Sequence, residues 1–348
     1  MRILIVGPSP ERSKGGMSTV IEEIRNDEEL NQKFDIDICE SYIDGNKLTV
    51  LLYSIYAFAK FWFAKRNYDI YHIHAASYGS TFRKGWYVRA ARKWGKKVIL
   101  HIHGAEYMLF YEKSKKKKQI SDILKSANMV VALSEDWKRK FDNTFDLKNC
   151  VVLENGIDMD RLAPAVIPPS EYQHCFVTLG RLGERKGTYD LVDAIEIAKK
   201  TVPDIKCYFA GDGEVEKFRS IIKERRLENN AVIVGWADFD KKLELLKKIS
   251  TVVLPSYNEG LPMSVLEGMA CGKAIISTTV GAIPEVVSDE NGILITPGDV
   301  NALSDALIKC CIDLSFMENV SAQNIEKIRR SFSIKTMHEK LCRYYKEV

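Results

Sequence analysis

Two glutamates eight positions apart, Glu259 and Glu267, flank a Gly-Leu-Pro turn in the segment NEGLPMSVLEGMACG, residues 258–272. Gly260 and Pro262 predict a helix that begins at this turn, because proline suits the first helical position. The backbone N–H groups of a helix start can bind a phosphate, and each carboxylate can accept two hydroxyl donors. The segment is therefore typical of a site for a phosphorylated sugar. The alternative is a pair of solvated glutamates that the helix dipole favours at a helix start.

A second candidate for phosphate chemistry is the segment TLGRLGERKGTYDLVDAI, residues 178–195, in which a predicted strand runs into a basic turn and then a helix. The turn carries Arg181, Arg185 and Lys186, and the helix begins near Gly187. Such a turn, at the carboxyl end of a strand and next to a helix start, is electropositive. It fits a diphosphate, with Arg181 binding in a bidentate manner and Lys186 acting as a point charge. A solvated basic turn is the alternative.

Histidines are the third group of candidates. His72 and His74 lie in one predicted strand and His101 and His103 in another, so that each pair shares a face of its strand. Imidazoles bind zinc, but no acid or cysteine joins these pairs at a spacing diagnostic of a metal site. Two Asp-x-Asp strings, at 35–37 and 158–160, are the other metal candidates, the first in a strand and the second in a loop. We expect no metal site.

Short apolar runs alternate with helical stretches along the chain, which predicts parallel sheets with helices on both faces. The first six predicted strands cover residues 2–6, 35–39, 70–74, 98–101, 129–133 and 151–153. The next six cover residues 175–179, 206–210, 232–234, 252–254, 274–277 and 292–295. Two such series predict an α/β protein of two doubly wound domains, which bind ligands at the carboxyl ends of their strands. The proline-containing segment APAVIPPSEYQH, residues 163–174, is the predicted linker.

Composition narrows the class of protein. The 348 residues exceed the usual size of one domain, and the eight cysteines show no CxxC spacing, which favours reduced thiols over a disulfide framework or a zinc site. The first ten residues, MRILIVGPSP, predict a strand rather than a signal peptide. Residues 1–165 hold 27 lysines and arginines against 21 acids, so an anionic partner should meet this half. No nucleic-acid-binding module accompanies the charge, and nucleic acid is not an expected partner.

Residues 47–66, KLTVLLYSIYAFAKFWFAKR, form the most apolar stretch of the chain. A membrane span here would interrupt the parallel sheet between its second and third strands, so we expect a largely buried helix instead. A helix lying in the membrane interface is the alternative, because aromatic residues stand beside cations: Tyr56, Phe61, Trp62, Phe63, Lys60, Lys65 and Arg66. Further cations at 81–97 and 113–118 could attract an anionic leaflet.

The chain resembles one family over nearly its whole length. Four motifs in the second half occur in the order of its donor-binding domain: GRLGERKG (180–187), AGDGE (210–214), VGW (234–236) and EGLPMSVLE (259–267). The first half adds GG (15–16), DIYHIHA (69–75), HIHG (101–104) and ENGID (154–158). Together these motifs resemble the retaining glycosyltransferases of family 4, of the type that builds bacterial surface polysaccharides. The resemblance implies the GT-B arrangement, with two Rossmann-like domains facing each other across a cleft.

The resemblance also implies roles for individual residues. Glu267 would bind the ribose hydroxyls of a sugar nucleotide, and Glu259 the hydroxyls of the donor sugar. The backbone at Gly260 and Leu261 would contact the β-phosphate and the sugar. Arg181 and Lys186 would neutralise the diphosphate, the leaving group. The further members of the implied site are donor-binding Gly15, Gly16, Gly211 and Trp236, and His103, which would bond the donor sugar and orient the reacting centre.

The implied domains are 1–168 together with a returning helix in 333–348, which bind the acceptor, and 169–332, which bind the donor. The implied reaction moves a hexose, with retention, from a nucleoside-diphosphate sugar, in our choice a UDP-sugar, to a hydroxyl of a lipid-linked or polysaccharide acceptor. It needs neither cofactor nor metal and takes place in the cytoplasm, at the inner face of the membrane. A sugar-nucleotide epimerase and a non-catalytic sugar-nucleotide-binding subunit are the alternatives. A glycosidic phosphorylase would need a cofactor lysine and a longer chain.

Overall fold

The computed structural model describes residues 1–13 and 15–348, and in this part of the chain twelve strands form two six-stranded parallel sheets. The first sheet has the order β2-β1-β3-β4-β5-β6. Its strands are β1 (Arg2–Pro8), β2 (Asp35–Tyr42), β3 (Ile70–Ala75), β4 (Lys97–Ile102), β5 (Met129–Ala132) and β6 (Cys150–Val152). All residues of β3 are buried, as expected for a central strand covered by helices on both faces.

The second sheet has the order β12-β11-β10-β7-β8-β9. Its strands are β7 (Cys175–Leu179), β8 (Lys206–Ala210), β9 (Ala231–Gly235), β10 (Thr251–Leu254), β11 (Ala274–Thr278) and β12 (Ile293–Ile295). All twelve predicted strands are present, with ends that differ by a few residues. Runs of Val, Ile and Leu between turn residues predict strands reliably here because both faces of each sheet are covered.

In the described part of the chain, seven helices connect the strands of the first sheet. They are α1 (Gly16–Asn26), α2 (Glu28–Lys33), α3 (Lys47–Ala64), α4 (Gly79–Lys93), α5 (Tyr107–Lys113), α6 (Lys117–Ser126) and α7 (Glu135–Phe145). Several begin at a polar side chain that accepts a hydrogen bond from the first turn: Asn46 accepts from the N–H of Thr49, and Ser134 from that of Trp137. Such caps satisfy N–H groups that have no partner within the helix.

Among the described residues, eight helices belong to the second sheet, and one more follows it. The eight are α8 (Met159–Leu162), α9 (Thr188–Ala198), α10 (Val215–Glu224), α11 (Phe239–Leu246), α12 (Met263–Ala270), α13 (Ile283–Val286), α14 (Val300–Ile312) and α15 (Leu314–Lys327). A π-helical turn, Ile328–Phe332, leads from α15 to α16 (Ile334–Glu347), which packs on the first sheet. There the hydroxyl of Tyr344 donates to the carbonyl of Val152 at 2.7 Å, and Lys340 pairs with Glu154.

The chain divides into two compact units: unit 1 contains Met1–Gly156 and Ile334–Val348, and unit 2 contains Ile157–Ser333. The sequence prediction placed the boundary at 168, twelve residues later. In the structure unit 2 begins earlier because Ile157 already pairs with Ser333 and donates its N–H to the carbonyl of Phe332 at 2.8 Å. The proline-rich segment at 163–174 therefore lies within unit 2, where it forms two short 3-10 turns.

An aromatic cluster forms the part of the unit 1 core against which α3 packs. The ring of Phe61 on α3 lies 4.7 Å from that of Tyr87 on α4, 5.6 Å from that of Tyr71 on β3, and 5.2 Å from that of Trp94. Edge-to-face and offset contacts of this kind add stabilisation beyond the burial of apolar area. Phe61, Ser54 and Ala57 are the fully buried positions of α3.

The expectation that residues 47–66 form a largely buried helix is wrong. The helix is present, but the face opposite Phe61 is exposed and apolar, with Leu48 63% and Phe63 79% exposed; its other large members are Leu51, Leu52, Ile55 and Tyr56. Apolar residues occur all around this helix, so periodicity could not show that only one side has a partner. In the described residues, no helix has both the length and the apolar character needed to cross a bilayer.

Candidate functional site

The basic turn after β7 is held in place by the loop that follows β8. The N–H of Leu182 donates to the carbonyl of Asp212 at 2.7 Å. At Gly211 a Cβ would lie 1.8 Å from the carbonyl oxygen of Gly180, so only glycine permits this approach. Gly211 thus has a packing role in the turn, and its assignment to donor binding stays a prediction.

Lys186 and Glu259 form an ion pair that joins this turn to the loop after β10. The Nζ of Lys186 donates to Oε1 of Glu259 at 2.7 Å, and Glu259 is only 6% exposed. Two hydrogen bonds to backbone carbonyls support the pair. The guanidinium of Arg185 donates through Nη1 to the carbonyl of Asn258 at 2.9 Å, and the N–H of Tyr257 donates to the carbonyl of Arg185 at 2.9 Å. The two loops therefore form one rigid element with a lysine and a carboxylate at its centre.

Glycine is needed at the point where the two loops meet. Gly187 has a φ of 62°, and a Cβ there would lie 1.9 Å from the carbonyl oxygen of Pro255. Neither the backbone conformation nor the space tolerates a side chain. The close approach it permits brings the start of α9 against the loop that carries Glu259.

Glu267 lies inside α12, buried to 7% exposure, and accepts a hydrogen bond from the ammonium of Lys242 on α11. Its burial and that of Glu259 show that the alternative of solvated helix-start glutamates is wrong. Lys242 was missed in the sequence because it stands among four lysines between residues 241 and 248, and only packing distinguishes it. The helix itself begins at Met263, so that Pro262 precedes the first helical position instead of occupying it.

A loop after β11 packs on the backbone of the Gly-Leu-Pro turn. The N–H of Ala282 donates to the carbonyl of Gly260 at 2.9 Å, and a Cβ on Gly281 would lie 2.1 Å from the carbonyl oxygen of Glu259. Gly281 adopts a φ of 59° and is a residue that the sequence analysis missed. The sequence signal that could have indicated Gly281 is its position two residues before the start of a helix that contains Pro284. Leu261 is buried at the same turn.

Two predicted members of the site are exposed in unit 2. Arg181 lies on the surface of the basic turn, and Trp236, which follows β9, is 46% exposed. Exposure leaves the guanidinium of Arg181 accessible to an anion. The structure thus gathers Lys186 and Glu259 in one contact, while the roles of Arg181 and Trp236 in donor binding stay predictions.

In unit 1, four histidines form a ladder of rings on β3, β4 and the residue after β4. His74 is the register partner of His101, so the two His-x-His pairs share one face of the sheet. The Nδ1 of His74 lies 2.9 Å from Nε2 of His103, and Nε2 of His72 lies 3.3 Å from Nδ1 of His101. The ladder ends at the hydroxyl of Tyr345 on α16, 2.9 Å from Nδ1 of His72.

Burial keeps these imidazoles neutral. It lowers the pKa of His72 and of His103 to about 3, and burial together with the neighbouring rings lowers the pKa of His74 and His101 well below the ordinary value. A neutral His103 can donate one hydrogen bond and accept another, which suits a sugar hydroxyl, but it carries no charge.

The ring nitrogens of His72, His74 and His101 lie within 4.8 Å of one another, a grouping able to hold a metal ion. Among the described residues, the Asp-x-Asp strings do not take part in such a grouping. Asp35 pairs with Arg2 and Asp37 with Lys65, and Asp158 accepts from the N–H groups at the start of α8. Metal-independent chemistry stays a prediction.

Gly15 and Gly16 lie at the start of α1, where Gly15 adopts a φ of 134°. They line a cavity of about 460 Å³ in unit 1, with residues that follow β1, β2 and β3. His103, Gly15 and Gly16 thus belong to unit 1, whereas the other predicted site residues belong to unit 2.

Comparison with known proteins identifies two family models in the chain. Glycosyltransferase Family 4 matches residues 25–161, and Glycosyl transferases group 1 matches residues 163–327. An uncharacterized glycosyltransferase of Methanocaldococcus jannaschii is 26% identical, over 68% of this chain and 64% of its own length. The UDP-Gal:alpha-D-GlcNAc-diphosphoundecaprenol alpha-1,3-galactosyltransferase of Escherichia coli is 25% identical, over 81% of this chain and 75% of its own length.

Among solved structures, the crystal structure of Anabaena Alr3699/HepE in complex with UDP-glucose covers the whole of both chains with a TM-score of 0.80, at 18% identity. This similarity and the two parallel sheets confirm the predicted GT-B fold.

The histidine ladder makes stability depend on pH. The folded pKa values lie below the unfolded value of about 6.5, so only the unfolded chain takes up protons as the pH falls. Between pH 7.5 and 5.5 each histidine that stays neutral should reduce the free energy of unfolding by about 1.4 kcal/mol. Urea unfolding at the two pH values measures this loss. His101→Gln should make it smaller by that amount, and a loss equal to that of the unchanged protein would contradict the assignment.

Proposed function

Because this chain belongs to the group 1 glycosyltransferases, we propose that it transfers a hexose from a UDP-sugar to a hydroxyl group of a glycan acceptor. The acceptor is a lipid-linked saccharide or a growing polysaccharide of the cell surface. The observation that carries the proposal is the pair of buried carboxylates, Glu259 on Lys186 and Glu267 on Lys242, within the group 1 region. The UDP-galactose named for the Escherichia coli relative and the UDP-glucose in the Anabaena complex support a UDP-sugar donor.

The contact between Lys186 and Glu259 suits a donor with a charged and a hydroxylated end. An ammonium group has three N–H donors, so Lys186 can keep its bond to Glu259 and donate to a phosphate as well. Glu259 keeps lone pairs with which to accept hydrogen bonds from sugar hydroxyls. Arg181 adds a second cation at the diphosphate. In the same way Lys242 orients Glu267 toward the ribose hydroxyls.

We assign the acceleration mainly to charge stabilisation of the leaving group. The bond from C1 of the sugar to the phosphate oxygen breaks, and the bond from C1 to the acceptor oxygen forms on the same face. The acceptor proton passes to the leaving diphosphate, and UDP departs. Fixed cations stabilise the charge that develops on the diphosphate, a type of interaction worth several kcal/mol in enzymes. Because Arg181 and Lys186 supply this positive charge, the transfer is metal-independent and needs no enzyme nucleophile.

We place the protein at the inner face of the membrane, through the exposed face of α3. Leucines and aromatic rings occupy that face, and cations border its carboxyl end: the guanidinium of Arg66 lies over Trp62 and Trp94, and the ammonium of Lys93 lies over Trp62. An apolar helix face with cations beside it fits an anionic lipid surface, to which each well-placed cation contributes about 1 kcal/mol.

Arg181→Ala should weaken UDP binding about tenfold, because a charge-assisted hydrogen bond to a phosphate contributes about 1.5–3 kcal/mol. Isothermal titration calorimetry measures the dissociation constant. The matched control is Arg219→Ala, since Arg219 is an exposed arginine of the same unit that pairs with Glu216 on its own helix. Unchanged UDP affinity in Arg181→Ala would remove this residue from the diphosphate site.

The function itself is tested by release of UDP from a panel of UDP-sugars, with lipid-linked and polysaccharide acceptors and with EDTA present. Glu259→Gln should lower kcat by about a hundredfold, because it removes a charge from the reacting centre. Glu318→Gln, an exposed position of unit 2, is the control, and thermal unfolding checks both folds. Conversion of the donor without an acceptor would indicate the epimerase, and binding without turnover the non-catalytic subunit.

Membrane association should depend on the exposed face of α3. The protein should co-sediment with vesicles that contain anionic lipid at low salt, and less at high salt. Leu52→Glu with Phe63→Glu should reduce the bound fraction several-fold, because both side chains would have to bury a charge. Ile312→Glu, an equally exposed apolar position of unit 2, is the control. Co-sedimentation that is unaffected by the α3 substitutions would exclude this face.

A further inference from the structure

The cavity of about 460 Å³ in unit 1 lies where the carboxyl ends of three strands meet. Pro8 ends β1, Tyr42 ends β2, and Ala76 follows β3, and all three residues line it. The strand order β2-β1-β3 makes this the point at which the topology of the sheet reverses. Open parallel sheets bind their ligands at such points, and the volume is within the range of small-ligand sites.

Two cations from α4, Arg83 and Lys84, line the cavity, and neither pairs with a carboxylate in the part of the chain that the structure describes. Lys84 is only 3% exposed, and its ammonium donates to the hydroxyl of Ser41. A buried cation without a counter-ion is costly, because the protein replaces its hydration only in part. An anion bound in the cavity would offset that cost.

The starts of two helices face the same cavity. Gly15 and Gly16 at the start of α1, and Gly79 and Ser80 at the start of α4, all line it. Among the described residues, neither helix has a side-chain cap, and neither has an acidic residue in its first turn. Their N–H groups and dipoles add positive potential to that of Arg83 and Lys84. Among the described lining residues the one acid is Asp44, which bonds the hydroxyl of Tyr42.

We infer that this cavity binds the phosphate or diphosphate group of the acceptor. The inference rests on the proposed function, in which the donor residues Glu259 and Glu267 lie in unit 2. The donor site already has its own cations, Lys186 and Lys242, so the cavity in unit 1 is assigned to the acceptor. The acceptor is therefore a phosphorylated saccharide. Tyr42 and Asp44, which line the cavity, are followed after two residues by α3 and its exposed leucines, so a lipid carrier would meet an apolar surface beside its phosphate.

Anion binding here should be accompanied by proton uptake. Burial lowers the pKa of Lys84 to about 7, with the nearby Arg83 acting in the same direction and Cys39 against it; Tyr87 and His74 are the other titratable groups beside it. An anion next to the ammonium favours its protonated form. At pH 8 the empty cavity therefore holds Lys84 mostly uncharged, and the occupied cavity holds it charged.

The test is calorimetry of inorganic diphosphate binding to the full chain, with UDP at saturation so that the donor site is filled. Diphosphate should bind, and Arg83→Gln should weaken its binding at least tenfold, whereas Arg89→Gln, an exposed position on the same helix, should leave it unchanged. Titrations at pH 8 in two buffers of different ionisation enthalpy should show proton uptake, which Lys84→Met abolishes. Arg83→Gln, at a half-buried position, keeps the test valid if Lys84→Met fails to fold.

Absence of diphosphate binding, or binding that neither variant affects, would overturn the inference. The inference would also be overturned if Arg83→Gln lost as much affinity for UDP as for diphosphate, because the cavity would then belong to the donor site. Vesicles with and without polyprenyl phosphate distinguish the source of the bound phosphate. If the protein binds preferentially to vesicles that contain polyprenyl phosphate, and Arg83→Gln removes this preference, the result supports a lipid carrier. Diphosphate binding without that preference supports a water-soluble phosphorylated acceptor. These binding measurements do not depend on turnover, so failure of the proposed transfer would be seen separately.

Discussion

The ion pair between Lys186 and Glu259 is the interaction on which the organisation of the candidate donor site depends. It connects the turn after β7 to the loop after β10, and both loops are already held by backbone hydrogen bonds and by glycines where a Cβ would collide. A pair this well buried has lost much of its hydration, so its geometry has to be good for it to persist. The surrounding turns supply that geometry. The cation and carboxylate are therefore positioned before any ligand arrives, and little reorganisation accompanies binding.

The two units bury polar groups in different ways. Unit 2 pairs each buried glutamate of the site with a lysine, so opposite charges compensate each other. Unit 1 has a ladder of four histidines, three of them fully buried, which avoid the cost of a buried charge by staying neutral. It also buries a lysine whose pKa is lowered for the same reason. This difference fits a donor site that presents fixed charges and a second site in which an incoming anion would supply the missing counter-charge.

Helix α3 shows a limit of what the sequence alone can predict. Its apolar residues occur on every side, so the sequence predicted a helix correctly and its burial wrongly. One side packs against Tyr71, Tyr87 and Trp94, whereas the large apolar side chains of the other side are exposed. A similar limit applies to Lys242 and Gly281, which have many equivalents in the sequence and were singled out only by what they contact.

The sequence by itself determined the twelve strands, the two series of parallel βα units and the motifs that identify a glycosyltransferase. These features depend on local patterns: apolar runs covered on both faces, and turn residues at fixed spacing. Only the tertiary structure decided which carboxylate meets which lysine, that four histidines share one face, and that Arg83 and Lys84 line a cavity without a carboxylate partner among the described residues. Those outcomes depend on contacts between residues distant in the chain, and charge, burial and pKa follow from those contacts and not from residue type.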